Sequence, residues 1–162
     1  MIEEVLTDLE PLAQEKNVEL IQKSQSMRDE KEESEAEDLV LTGSDILIYR
    51  MLYNLIENAI KYNHTDGSVT VSAERKKNEV VLTVADTGNG IDETFREQIF
   101  EPFFRVDKSR SRELGGVGLG LAMVRDIVRE HGGKIEVYGN EQGGMTFEVR
   151  MSIEGNIKSG LF

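Results

Sequence analysis

Cysteine is absent from the 162 residues, and histidine occurs only at His64 and His131. The first absence excludes disulfides and thiolate-bound metals and suits a reducing compartment. The second argues against a multi-histidine metal centre. No apolar run approaches the roughly 20 residues that a spanning helix needs, and nothing has the form of a signal peptide. Basic residues are outnumbered, 19 against 31 acidic, for a net charge of −12. That deficit argues against nucleic acid as a partner, because such binding needs basic surface to displace counterions. An anionic ligand would have to be met by a local basic cluster.

What is present suffices for one domain with a real core: 38% of residues are hydrophobic and 31% charged. Residues 2 to about 16 read as helix, with Val5, Leu6, Leu9 and Leu12 at helical spacing, and Pro11 predicts a bend or a division there. The chain thus opens abruptly in helix, as a piece of a longer protein would. VELIQKS (18–24) reads as a strand, 26–38 as a solvated, mobile charged loop, and DLVLT (38–42) as a short strand. A long helix is predicted from about Asp45 to Tyr62 behind Ser44 as N-cap. SVTVSAER (68–75) and EVVLTVAD (79–86) form a predicted hairpin about KKN. DETFREQIF (92–100) reads as a short helix, and 101–117 as a long irregular segment. Helix resumes at about Gly118 and ends at HGG (131–133), and KIEVYG and MTFEVRMSI make a second hairpin. This succession predicts an α/β fold, a mixed sheet with helices on one face.

Three stretches carry chemistry. On the long helix, Ile48, Leu52, Leu55, Ile56 and Ala59 fall on one side, and Asn54, Asn58 and Lys61 on the other, with Glu57 beside them. The polar stripe is either a solvent-facing flank or a ligand surface, where a carboxamide oxygen suits a hard cation and lysine suits phosphate. DTGNGI (86–91) ends a strand in Asp86, which either shapes a turn or accepts a hydrogen bond from an exocyclic amine such as that of adenine. IFEPFFRVDKSRSRELGG (99–116) sets Arg105, Lys108, Arg110 and Arg112 just ahead of the glycines of ELGGVGLGLAM (113–123). Those glycines mark either a turn or a phosphate held at a helix N-terminus.

Taken together, in this order and spacing, the stretches resemble the ATP-binding catalytic domain of bacterial sensor histidine kinases. That domain belongs to the GHKL superfamily, shared with type II topoisomerase ATPases and a heat-shock chaperone. NLIENAIKY (54–62) resembles the N box, DTGNGI the first glycine box and IFEPFFRVD (99–107) the phenylalanine box. GGVGLGLAM (115–123) resembles the second glycine box and GGMTFEV (143–149) the closing strand motif.

The resemblance implies a Bergerat-type ATP-binding fold: a two-layer α/β sandwich whose mixed, mostly antiparallel sheet is covered on one face by helices. It implies a helical remnant at 1–15, an ATP-binding catalytic domain at 16–153 with a lid at about 102–117, and a tail at 154–162. ATP and Mg²⁺ are the implied cofactors. Asn58 would hold Mg²⁺ with Asn54 in support, Lys61 would contact phosphate, and Tyr62 would pack along the base. Asp86 would read the adenine amine, with room made by Gly88 and Gly90. Ile91, Leu119 and Leu121 would be apolar walls, and Gly116, Gly118 and Gly120 would bring amides to the polyphosphate. Arg105 would bind phosphate or orient the acceptor, and Thr146 would support the adenine end.

In the superfamily's hydrolytic members, a glutamate four residues before the magnesium asparagine activates water. Here that position is Asn54, and a carboxamide is no general base. The implied reaction is therefore phosphoryl transfer to a protein histidine with little hydrolysis. Neither His64 nor His131 has the acidic neighbour and amphipathic helix of the family's acceptor. The acceptor is expected on a dimerisation domain of the same or a neighbouring subunit, in a membrane-anchored parent that serves a response regulator. This domain would be cytoplasmic, without direct membrane contact. A nucleotide-sensing interaction module without transfer is the alternative.

Overall fold

In the computed structural model, residues 1–23, 43–106 and 117–153 are described. The expected charged loop at 26–38, the short strand at 38–42 and the tail at 154–162 lie outside them. Helix α1 (Ile2–Lys16) buries Val5, Leu9 and Ala13. It runs undivided with Pro11 inside it. It closes at Asn17 in the left-handed conformation, where asparagine is tolerated, and Val18 N–H returns to Ala13 O. Strand β1 (Glu19–Lys23) follows.

Helix α2 (Asp45–Lys61) presents Ile48, Met51, Leu52, Leu55, Ile56, Ala59 and Ile60 to the core. Ser44 holds the N-cap position in extended backbone but makes no side-chain cap bond. Strands β2 (Ser68–Lys76) and β3 (Glu79–Asp86) form the first hairpin. The segment expected as one short helix is two 3-10 turns, Glu93–Phe95 and Gln98–Phe100. Asp92 caps the first by accepting from Thr94 N–H, and only Ile99 and Phe100 of the pair of turns are buried. A stretch with two inward residues lacks the apolar stripe that sustains a longer helix. Helix α3 (Gly120–Glu130) leads into β4 (Lys134–Gly139) and β5 (Met145–Ser152).

The five strands lie in the order β1-β2-β3-β5-β4, with β1 parallel to β2 and every other pairing antiparallel. The register sets Val71, Val84, Phe147 and Val137 side by side, and likewise Ala73, Leu82, Val149 and Ile135. These positions face α1, α2 and α3 and join them in one core. The intervening row of Ser72, Thr83, Glu148 and Glu136 is polar, and Glu148 forms an ion pair with Arg150 of the next row. The fold is the expected two-layer, mostly antiparallel sandwich with helices on one face. Among the described residues, no helix is long and apolar enough to cross a membrane.

Candidate functional site

The polar stripe of α2 is fixed by its own helix. Asn54 Nδ2 donates to Arg50 O at 2.7 Å, and Asn58 Nδ2 donates to Asn54 O at 2.9 Å. Each amide thereby spends one N–H on the backbone, and its carbonyl oxygen remains as an acceptor. Lys61 and Glu57 form an ion pair at 2.9 Å, both half-buried. The carboxylate expected at the edge of the stripe is therefore the lysine's partner.

The start of α3 closes on this stripe. Its first intrahelical bond is Met123 N–H to Leu119 O, so the amides of Gly120, Leu121 and Ala122 have no intrahelical acceptor. The N-cap residue is Leu119, whose side chain can cap nothing. A Cβ on Gly120 would stand 2.7 Å from Asn54 Oδ1 and 3.6 Å from Asn58 Nδ2. The positive end of a helix dipole thus opens beside two asparagine amides, a cradle that only glycine leaves clear. Gly118 (φ +79°) takes the turn into the helix, and its carbonyl accepts from Phe103 N–H at 2.9 Å. That bond joins the phenylalanine segment to the second glycine segment. Leu119 is exposed, Leu121 is half-buried, and Arg105 is half-buried and engaged within the chain. Gly116, Lys108, Arg110 and Arg112, with most of the expected lid, lie outside the described residues.

The other end of α2 reaches Asp86. Tyr62, about 12 Å along the helix from Asn54 at 1.5 Å per residue, is half exposed, and its carbonyl backs onto Gly88. Asp86 is 8% exposed and continues the core-facing row of Leu82 and Val84. Its Oδ1 accepts from Gly88 N–H at 2.8 Å and Met145 N–H at 3.2 Å. Burial pushes the carboxyl above the ordinary aspartate value, against the pull of those two amides and of His64. Gly90 backs onto Gly143, and Ile91 N–H points at the Met145 sulfur.

Thr146 is not brought to the carboxylate. It pairs with Ala85, one residue off the Asp86 row, so strand alternation turns its side chain to the other face. Its hydroxyl is instead 3.4 Å from Asn140 Nδ2. The residue beside Asp86 on the inner face is Met145. Three further groups build the site without having been read from the sequence. Asn140 Nδ2 donates to Asp86 O and Met145 O while its Oδ1 accepts from Gly144 N–H, which clasps the β4–β5 turn to the end of β3. Asn63 and Thr87 bond one another and Ser68, bracing the turn after Asp86. A Cβ on Gly144 would collide with the Asp86 carbonyl. A polar residue after a strand and before two glycines was the available signal for Asn140.

Among the described residues, no three His, Cys, Asp or Glu side chains gather into a metal site. The donor set on α2 fits a hard cation held by one neutral amide oxygen and chiefly by ligand phosphates.

Residues 43–155 match the family described as histidine kinase-, DNA gyrase B-, and HSP90-like ATPase, and the chain belongs to that family. Among curated relatives, the sensor-like histidine kinase SenX3 of Mycolicibacterium smegmatis is 38% identical over 107 residues, 66% of this chain and 28% of that protein. The sensor histidine kinase CpxA of Escherichia coli K12 is 38% identical over 109 residues, 67% of this chain and 23% of that protein. The chain therefore spans about a quarter of the length of these relatives. The solved catalytic domain of histidine kinase ThkA superposes with a TM-score of 0.77 at 29% identity, covering 94% of this chain and 90% of that one. ThkA in complex with response regulator protein TrrA matches with a TM-score of 0.73 at 27% identity, covering 94% of this chain and 39% of that one. The fold is that of histidine-kinase catalytic domains, and membership in an ATPase family makes ATP its nucleotide.

Proposed function

We propose that ATP lies along α2, with adenine at Asp86 and the polyphosphate at the start of α3, and that this chain transfers the γ-phosphoryl group to a histidine on a dimerisation domain. The observation that carries this reading is one helix reaching both ends of the site: α3 amides without an intrahelical acceptor beside Asn54 and Asn58, and the buried Asp86 carboxylate of β3 past Tyr62. Asp86 Oδ1 already serves two amides, so Oδ2 is the acceptor for the adenine amine. Asn58 would hold Mg²⁺ through its carbonyl oxygen, with Asn54 beside it. The cation, when bound, neutralises phosphate charge. The α3 amides, the Lys61 ammonium and Arg105 offset the remainder.

In the transfer, an imidazole nitrogen of the acceptor forms a bond to the γ-phosphorus as the bond to the β–γ bridging oxygen breaks, and ADP leaves. Asn54 cannot take a proton from water, so hydrolysis has no base at that position. His131 donates Nδ1–H to Ile127 O at the end of α3, and His64 lies in a turn at Thr65. Those engagements support an acceptor on another domain. The solved ThkA–TrrA pair supports a response regulator as the next recipient. ATP use suits action on the cytoplasmic side, and sensor relatives support a larger parent.

Titration with a non-hydrolysable ATP analogue, with and without Mg²⁺, should shift the NMR signals of Asn58, Asp86 and Gly118–Leu121, the first only with the cation. Labelled phosphate from ATP should appear on a supplied dimerisation domain. Tight binding without any transfer would make the chain a nucleotide-sensing module instead.

A further inference from the structure

A second cavity, of about 500 Å³, opens between α3, β4 and the 3-10 turn at Gln98–Phe100. It shares no lining residue with the cleft described above. In a chain of net charge −12, its wall carries Arg96, Arg125, Arg129 and Lys134 against only Glu97 and Glu136. Arg125 and Arg129 stand four residues apart on α3, where like charges on one helix face repel. Arg125 Nε is buried and has no hydrogen-bond partner. A buried donor without an acceptor is destabilising, and native structures rarely keep one without a purpose. Among the described residues, the ion pairs join other side chains, so neither glutamate neutralises these arginines.

We propose that this cavity is a second ligand site for a small organic dianion. The Arg125 guanidinium grips a carboxylate or phosphate head, Arg129 and Lys134 supply further charge, and the apolar body rests on Ile135 and Val137. The excess of cations over carboxylates matches a dianion. Guanidinium geometry matches either head group in a two-pronged contact. The volume is that of a metabolite-sized pocket.

The test uses the ¹⁵N-labelled chain titrated separately with phthalate and glutarate at constant ionic strength, with and without a saturating ATP analogue. Expected are saturable shifts of the Arg125 side-chain Nε–H and of residues 96–100 and 125–137, unchanged when nucleotide is bound. Arg125→Gln should weaken phthalate by roughly tenfold, the loss of one charge-assisted hydrogen bond, while the affinity for the ATP analogue stays the same. Arg129→Gln, at an exposed position, is the second variant should the first misfold. Non-saturating shifts, equal affinity in both variants and wild type, or displacement of the dicarboxylates by nucleotide would each overturn the proposal. The ATP analogue is followed in the same samples, so failure here is separable from failure of the nucleotide reading.

Discussion

Asp86 stands where the alternation of β3 calls for an apolar side chain, and the fold bears the cost of its charge. Its raised pKa fixes the sign of the effect. Between the ordinary value of 3.8 and the higher native value, the folded state binds more protons than the unfolded one, so stability falls as pH rises through that window. Asp86→Asn should therefore melt higher than wild type at neutral pH, with the gap closing in acid. The same change should weaken ATP by about tenfold to a hundredfold, the worth of a hydrogen bond to a charged acceptor. Calorimetry at several pH values and nucleotide titration check the two halves, and unchanged ATP affinity would remove Asp86 from the site. Asp86, Asn54 and Asn58 stand out in the sequence as candidates because each breaks a local pattern, and the structure sets all three along α2 and its C-terminal end. Thr146 is turned from the Asp86 face because a strand alternates with each residue, an offset of one that a motif match does not resolve. Met145 reaches Asp86 through its backbone N–H, a bond any residue but proline could make, so no side chain announces it.

At the scale of elements, α2 was almost wholly legible, since its apolar and polar faces follow a 3.6-residue period. The placement of α3 was not. Its register against α2 depends on Gly120 lying against Asn54, a distance rather than a pattern. Gly120→Ala should keep the fold, because alanine favours helix by about 1 kcal/mol over glycine, yet weaken Mg²⁺-dependent ATP binding by crowding Asn54. A melting temperature at or above wild type with an intact nucleotide isotherm would refute that. Asn140→Ala should lose about 2 kcal/mol of stability in urea unfolding, because it leaves buried carbonyls unserved at the turn that holds Asp86. The helices α1 and α2 are clasped by the Tyr49 hydroxyl donating to Asp8, which pushes the phenol up to about 12. The neutral phenol is the bonded form, so this contribution is present below pH 10 and lost as pH rises toward 12. Ultraviolet titration should show a tyrosine ionising late, and Tyr49→Phe should remove that step.

For the molecule as a whole, the layered fold was legible because its strands and helices differ in hydrophobic period. Less legible were the pairings that cross long stretches of chain, such as the parallel β1–β2 edge and the bond from Phe103 to Gly118. Whole-molecule behaviour should show slow ATP turnover without an acceptor domain. Asn54→Glu is the informative change, since it restores a carboxylate four residues before Asn58. Release of inorganic phosphate should rise by about tenfold or more if a general base was the missing part, and no rise would mean that water is excluded by other means. The contact between α1 and α2 has a mechanical consequence. Because α1 runs unbroken into a core it shares with α2, a displacement of its first turn should be felt by the helix that carries the amide pair.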